Sequence, residues 1–364
     1  MRHLLRKFPS PVYGLGFAVV LAACSGSDDP PGGGSAGNSN TGATGGSENT
    51  SGSSNTSGSN NAGSGNAGGS GGTAGTGPSD SMELVGSFQV QVTASAEDES
   101  SGTTTAIGKV NDGPSPSSVK WTVEQEDGDC RLEIPSAPFC DGGCSGDVCV
   151  DDGVCKPYPQ AKTVGEVTLK GVVLDGGGDE VTLREVAKAY QPPAGTLFAY
   201  PPFEEGAKVT VTATGGDYAA FSLEAEGVAP LTITATDLEL DVNKALELTW
   251  NAASAPEASK IHVKLDISHH GGSRGQIICE TSDSGAVTIS AALMTELIGL
   301  GVAGFPSVIM TRSSTGSTQI EVGRVELAVT SKSERFVTVA GFESCTEDED
   351  CEEGQTCQAD LTCM

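Results

Sequence analysis

The sequence has few basic residues, few aromatic residues and no apolar run long enough to span a membrane. Its 364 residues include 20 Lys and Arg against 48 Asp and Glu, giving a formal net charge of −28, and aromatic residues make up 5%. A phosphate-binding loop, a dinucleotide fingerprint, an HExxH pair and a calcium-loop consensus are also absent. Because nucleic acid and anionic lipid surfaces repel a chain this acidic, we expect no nucleic-acid partner. The charge favours cationic partners or calcium.

One shorter apolar run is present at the N-terminus. A basic start at residues 1–7 precedes an apolar segment at residues 11–23, which predicts an export signal. The segment ends in Leu-Ala-Ala-Cys at residues 21–24, which resembles the lipobox of bacterial lipoprotein signal peptides. The resemblance implies cleavage after residue 23 and acylation of Cys24, for example with palmitate, as a membrane anchor. A plain secretory signal with an incidental cysteine is the alternative.

The residues after Cys24 bear on where the anchor and the folded part would lie. In such lipoproteins an Asp after the cysteine favours retention at the inner membrane, and here Ser25 follows. The resemblance therefore implies the outer membrane, with the protein facing the periplasm or displayed at the cell surface. Residues 24–82 are almost entirely Gly, Ser, Asn, Thr and Ala, a composition that predicts a disordered tether. A chain of this length has a root-mean-square span of roughly 40 Å.

Cysteine usage agrees with export. Without Cys24, ten of the eleven cysteines remain, an even number suited to disulfides in an oxidising compartment. Four of them lie at the C-terminus with five residues between successive members, and this pattern resembles the short cysteine-rich modules of Dickkopf-like extracellular proteins. The resemblance implies a stapled loop and no activity. Adjacent pairing would give two separate loops, whereas alternate pairing interlocks them, so we predict Cys345–Cys357 and Cys351–Cys363.

A second cysteine cluster lies between residues 130 and 155. The predicted pairs are Cys140–Cys149 and Cys144–Cys155, with Cys130 joined to Cys279. Zinc is the alternative for both clusters. Neither has paired C-x2-C knuckles or a nearby histidine, which disfavours zinc.

The remaining sequence alternates apolar and polar residues with period two. Phe88, Val90 and Val92 alternate with Gln89, Gln91 and Thr93, and several later runs repeat the pattern. The pattern predicts an all-β fold with antiparallel strands, and one helix from Ala291 to Ile298 capped by Ser290. We expect two antiparallel β-sandwich domains of immunoglobulin-like type, with a single larger sandwich as the alternative. The expected parts are a signal peptide at 1–23, a linker at 24–82, a sandwich at 83–240 with a cysteine-rich loop at 130–155, a second sandwich at 241–342 and a knot at 343–364.

The stretch from Gly271 to Gly275 spells G-x-S-x-G around Ser273, the signature of a nucleophilic serine on a sharp turn. The residues before it alternate as in a strand, which places His262, Asp266 and His270 on one polar face, and those after it also predict a strand. A nucleophile elbow needs a helix there, and a hydrolase of the α/β kind needs its histidine after the serine. We therefore interpret the stretch as a hairpin loop and assign no catalytic residue.

Two functions remain open. The first is a non-catalytic, surface-displayed lipoprotein that binds a protein or glycan or acts as envelope structure. The second is a secreted carbohydrate-active hydrolase with a dispersed carboxylate pair, one of the pair having a raised pKa. The aromatic groups that could stack on a glycan are Trp121, Tyr190, Tyr200, Tyr218 and Trp250. No metal site is expected, apart from calcium candidates in an acidic run that is more often a solvated face: Glu347, Asp348 and Asp350.

The lipobox gives a direct test of anchoring. Because acylation requires the thiol of Cys24, Cys24→Ala should release the protein from membranes or block its maturation. The measurement is membrane fractionation after a salt and carbonate wash. A variant that still remains with the lipid fraction would show that the anchor lies elsewhere.

Overall fold

A computed structural model describes residues 83–95, 101–236, 238–268 and 274–364. The predicted signal peptide, Cys24 and the 24–82 linker lie outside the described residues, as do His269, His270 and Ser273. Within the described part, no helix is long and apolar enough to cross a membrane.

The all-β prediction is confirmed, since the described residues form strands with a single α-helix. The strands are β1 Leu84–Ala94, β2 Gly102–Asn111, β3 Lys120–Asp127, β4 Cys130–Ser136, β5 Val148–Asp151, β6 Val154–Lys156, β7 Ala161–Lys162, β8 Val167–Lys170, β9 Glu180–Val186, β10 Ala189–Gln191, β11 Lys208–Ala213, β12 Phe221–Glu226, β13 Glu239–Leu240, β14 Leu246–Thr249, β15 Lys260–Asp266, β16 Gln276–Ser282, β17 Ala286–Ile289, β18 Ser307–Ile320, β19 Gly323–Phe336 and β20 Thr338–Val339. A short 3₁₀ helix, Asp348–Asp350, lies in the C-terminal knot.

The helix α1, Ala291–Gly299, forms where the sequence predicts it. The Ser290 side chain accepts a hydrogen bond from the backbone N–H of Leu293, as an N-cap does. The helix buries Leu293, Met294, Leu297 and Ile298. This spacing gives α1 one apolar face, which covers part of the sheet.

A 14-stranded sheet runs through most of the described chain, in the order β12-β11-β8-β9-β10-β2-β1-β19-β18-β15-β16-β4-β3, with β7 pairing β2. Three two-stranded sheets pair β13 with β20, β14 with β17, and β5 with β6. The large sheet is mixed, because β1 runs parallel to β19 while its other neighbour, β2, is antiparallel. It differs in this from the predicted pair of antiparallel sandwiches. Period-two alternation identifies the buried face of a strand but does not identify its neighbours.

Two hydrophobic cores form along this sheet. The first core includes Phe88, Val90, Tyr190, Val211 and Leu327. The second core includes Leu132, Trp250, Ile261, Leu297 and Met310. Each draws residues from before and after Asp241, so the domain boundary expected there does not separate the cores.

The hairpin of β18 and β19 belongs to both cores. On β18, Val308 and Met310 lie in the second core, and on β19, Val325 and Leu327 lie in the first. The two strands pair along their whole length, from Ser307 opposite Phe336 to Ile320 opposite Gly323. One long hairpin therefore provides a wall of each core.

The sheet also curls, because its end strand β12 lies against β18. The backbone N–H of Glu226 donates to the Ser314 hydroxyl at 3.1 Å. A Cβ at Gly316 would lie 1.7 Å from the carbonyl oxygen of Glu224, so only glycine allows this approach. The curl encloses the first core.

Arg312 lies on β18 near the place where the hairpin passes from one core to the other, and its side chain is fully buried. Nε and Nη2 donate to the two carboxylate oxygens of Asp283, and Nη2 also donates to the carbonyl of Asn251. Nη1 donates to the carbonyls of Ala229 at 3.0 Å and Pro230 at 3.2 Å. All five guanidinium N–H groups thus have acceptors.

Asp283 is equally buried and equally well satisfied. Its carboxylate also accepts from the Trp250 indole N–H and the Ser259 hydroxyl, each at 2.7 Å. Burial alone would raise the pKa of Asp283, but the hydrogen bonds from Arg312, Ser259 and Trp250 outweigh it and hold the pKa below its ordinary value of 3.8. The pair therefore stays charged inside the protein at neutral pH.

Asp283→Asn should destabilise the fold strongly. The substitution keeps the shape of the side chain but leaves the Arg312 charge buried without a counter-ion, which costs about 3–5 kcal/mol. Glu224→Gln is the matched control, because it breaks the exposed Lys208–Glu224 pair at 2.7 Å, where the cost is about 1 kcal/mol or less. Urea unfolding at pH 7 measures both.

The same pair predicts an acid sensitivity. Since the folded-state pKa of Asp283 is lowered, its contribution is complete above 3.8 and is lost as the pH falls through the folded-state value. Asp283→Asn should lack this part of the pH dependence. Equal free energies of unfolding for Asp283→Asn and Glu224→Gln would show that the pair does not support the fold.

Five disulfides are present, in the same pairs that the sequence predicts. Cys130–Cys279 joins β4 to β16 inside the second core, where both residues are buried. Cys140–Cys149 and Cys144–Cys155 staple the loop that contains β5 and β6. Cys345–Cys357 and Cys351–Cys363 interlock in the C-terminal knot.

The C-terminal knot is docked on the sheet structure and does not hang free. The backbone N–H of Gly304 donates to the carbonyl of Asp360 at 2.6 Å, and the Ser344 hydroxyl donates to the carbonyl of Gly304 at 2.6 Å. Arg274 lies 3.5 Å from Asp360 in an ion pair. These contacts fix the knot beside the loop between α1 and β18.

The five disulfides should reduce in an order set by burial. A thiol reagent reaches Cys155, which is exposed, before it reaches the buried Cys130 and Cys279. Mild reduction should therefore open the stapled loop first. The knot should open and melt next, because Cys351, Cys357 and Cys363 are partly exposed although Cys345 is buried, while the strands persist in circular dichroism. Differential alkylation with peptide mapping tests this. Early labelling of Cys130, or a native Cys345–Cys351 linkage, would contradict it.

Candidate functional site

The G-x-S-x-G stretch joins two strands of a hairpin. β15 and β16 pair antiparallel, with Asp266 opposite Gln276, so the residues between them form the hairpin connection. Because β16 follows the motif, the strand–turn–helix context of a nucleophile elbow is absent. Ser273 itself lies outside the described residues. Cys279, the other reactive group of this stretch, is joined to Cys130.

The polar face predicted for β15 is only partly exposed. Asp266 is 8% exposed, which corrects the expectation that it lies in water. Its carboxylate accepts from the N–H and hydroxyl of Ser268 at 2.9 and 3.1 Å and pairs with Lys264 at 3.2 Å. The alternation alone does not reveal that this strand-end position is buried.

His262 is one of the residues that line an open hollow on the sheet. It sits opposite Glu280 on β16 and Thr311 on β18. Burial lowers the pKa of the imidazole from its ordinary value of 6.5, with Glu280 opposing the shift. The hollow, which we call the His262 hollow, has a volume of about 730 Å³ and is lined by Asp129, Lys260, His262, Glu280, Ser282 and Ser313. It offers a neutral imidazole among charges of both signs.

The pKa shifts of the carboxyl groups bear on the hydrolase alternative. Those of Asp112, Asp151, Glu185, Asp241, Asp283 and Asp350 are all lowered. In all but Asp283, the largest cause is a hydrogen bond donated to the carboxylate. A general acid for glycoside cleavage needs the opposite shift. None of the six lines the His262 hollow.

The calcium candidates serve local structure in the knot. Asp350 accepts from the N–H and the hydroxyl of Thr346, both at 2.8 Å. Asp348 accepts from the backbone N–H of Cys357 at 2.9 Å, and Glu347 precedes the 3₁₀ helix. The hydrogen bonds from Thr346 lower the pKa of Asp350. The carboxylates of Asp348 and Asp350 are therefore already engaged as acceptors within the chain.

Two groups of cysteine sulfurs lie close enough to hold a metal, with all atoms within 4.8 Å: Cys140, Cys144 and Cys149, and Cys345, Cys351 and Cys363. All six sulfurs belong to disulfides. A disulfide sulfur is not the thiolate that zinc requires. The arrangement therefore supports disulfide cross-links, and not zinc sites, in both the loop and the knot.

The aromatic residues considered for glycan stacking are mostly in the cores. Tyr190, Tyr218 and Trp250 are buried, and Tyr200 is partly buried. Trp121, on β3, is exposed. A broad aromatic platform for a sugar chain is therefore not formed by these residues.

An exposed apolar surface that the sequence pattern did not predict lies where β19 ends. We call Phe305, Phe336 and Phe342 the phenylalanine patch. Phe336 is 73% exposed and Phe342 is also exposed. Along β19 the odd-numbered residues from Gly323 to Ser331 are buried, and Val337 and Val339, which follow the strand at odd-numbered positions, are buried too. Phe336 therefore falls on the outward side, and this departure from alternation is the signal that could have found it.

Hollows lie on both sides of Phe336. One has a volume of about 720 Å³ and is lined by Thr232, Thr234, Ala235, Leu238, Glu239 and Arg335. The other has a volume of about 260 Å³ and is lined mainly by apolar side chains: Val302, Phe305, Pro306, Val337, Val339 and Phe342. Phe336 and Thr338 line both. An exposed aromatic ring between two hollows is typical of a surface that contacts another macromolecule.

Comparison with known proteins gives no assignment for these surfaces. No protein-family model matches the chain, and no curated protein matches it either. The interpretation of the His262 hollow and of the phenylalanine patch therefore depends on their geometry and chemistry alone.

Proposed function

We propose that the protein is a non-catalytic binding module of the cell envelope, anchored to the outer membrane through lipidated Cys24 and held away from it by the 24–82 linker. The observation that carries the proposal is the phenylalanine patch, with Phe336 exposed between two hollows. The partner that fits this patch best is a protein with apolar side chains.

Energetics support a role for the patch in binding. Covering a phenylalanine side chain that water would otherwise surround contributes about 1.5–3 kcal/mol to association. Aromatic residues are enriched among the few residues that dominate the binding energy of an interface. Phe336 has no such cover within the described residues, whereas most large apolar side chains of the sheet are packed in the two cores.

The rest of the molecule suits display outside the cytosol. Five disulfides persist only where thiols oxidise, and four of them staple two segments too small to bury a core of their own. The lipobox supports an anchor, and the polar composition of the linker supports an extended tether. A glycan partner has less support, because three of the five candidate stacking residues are buried.

Photo-crosslinking in the producing cells tests the patch. A benzoylphenylalanine at position 336 should give a discrete adduct with an envelope protein. Position 139 is the matched control, because Phe139 is also 73% exposed but lies in the cysteine-stapled loop. Mass spectrometry identifies the adduct, and Phe305→Ala should reduce its yield.

The outcomes separate the patch from general exposure. An adduct at position 336 that is absent at position 139 supports the proposal. The same adducts at both positions, or none at either, would show that the patch is not a binding surface. Membrane anchoring is tested independently by the Cys24→Ala variant.

A further inference from the structure

The strand β3 is an end strand of the large sheet. It pairs with β4 on one side, and no other described strand pairs with it. Every residue of β3 except Gln125 is exposed. An edge strand directs alternate N–H and C=O groups away from its neighbour, where they can bind a further strand. The opposite end strand, β12, differs because it lies against β18.

Side chains make this edge acidic and partly apolar. Glu124, Glu126 and Asp127 have no ion-pair partner in the described part of the chain, while the one basic residue of β3, Lys120, pairs with Asp151 at 3.5 Å. Trp121 and Val123 are 38% and 44% exposed. The edge therefore combines uncompensated negative charge with apolar surface.

The pairing of β3 with β4 defines how a strand could meet the edge. A bulge lies between Val123 and Gln125, so the edge consists of two short stretches. Trp121 and Val123 lie two residues apart before the bulge and share one side of the sheet, whereas Glu126 and Asp127 follow it. A segment that spans both would contact apolar groups at one end and carboxylates at the other.

We propose that β3 is a docking edge for an extended, lysine- or arginine-rich segment of a partner protein, which adds to the sheet as a further strand. Main-chain hydrogen bonds to the edge would supply affinity, and basic side chains on the two faces of the added strand would meet Glu124, Glu126 and Asp127. An aromatic ring attracts cations as well, so Trp121 suits the same partner. The inference rests on the proposed binding function but uses different residues.

Two other roles fit the edge less well. A second copy of this chain would place the same carboxylates against each other, and each copy has a net charge of −28. Charged side chains also protect edges against aggregation, but that role does not explain an exposed Trp121 and Val123 on the same edge. Both roles are outcomes of the test.

The test uses the full-length protein and a capped nonapeptide of alternating lysine and valine. We expect binding at low salt, measured by fluorescence anisotropy, together with slower hydrogen exchange confined to the amides of Lys120–Asp127. Glu124→Lys with Glu126→Lys should weaken binding about tenfold. Glu247→Lys with Glu257→Lys is the matched control, because these exposed carboxylates change the net charge equally at another place, and it should leave binding nearly unchanged.

Several results would overturn the proposal. Equal weakening by the two double variants would show general attraction to an acidic protein. Equal binding of a peptide with proline in place of valine would exclude strand addition, because proline cannot extend a sheet. No binding would show that the carboxylates serve to protect the edge against aggregation. Dimerisation that slows hydrogen exchange in β3 would identify a second copy of the chain as the occupant. Phe336→Ala should not affect peptide binding, so failure at the phenylalanine patch is distinguishable from failure here.

Discussion

The buried pair of Arg312 and Asp283 is the interaction on which the arrangement of the two cores depends. A guanidinium inside a protein must have every N–H group satisfied, and Arg312 achieves this with acceptors from three separate segments: Asp283, Asn251 and the Ala229–Pro230 carbonyls. Asp283 compensates the charge, and all three segments must be in place before every N–H group has an acceptor. The pair thus joins β18 to these three segments and holds them in place relative to the strand.

That hairpin explains why the domain boundary could not be read from the sequence. The alternation correctly identifies the buried residues of β15, Ile261, Val263 and Leu265, and the cap of α1 at Ser290. It contains no information on which strands become neighbours. The parallel pairing of β1 with β19 joins residues more than two hundred positions apart, such as Gln89 and Thr330. Such a pairing depends on tertiary packing, which the local alternation of apolar and polar residues does not specify.

The surfaces were harder to predict than the strands for a related reason. Asp266 is polar and lies where the alternation predicts an exposed side chain, yet it is buried. Phe336 is apolar, yet its side chain is exposed. Whether a residue at the end of a strand is covered depends on where the next segment goes. The G-x-S-x-G letters show the converse, since a specific motif has little meaning once the element after it is β16 and not a helix. The cysteine pairs of the C-terminal knot were more predictable, because spacing along the chain limits how short loops close, a limit that does not apply to Cys130–Cys279.

The position of β1 beside β19 also affects how the protein reaches its native state. The first strand of the described part cannot acquire its parallel partner until almost the whole chain is available, and the first core lacks one wall until then. Formation of Cys130–Cys279 likewise requires residues 149 positions apart to meet. Non-local contacts of this kind slow folding, because a large loop must close before any contact compensates its entropy. We expect the first core to stay incomplete until β19 has been synthesised, a property that suits the proposed export of the chain.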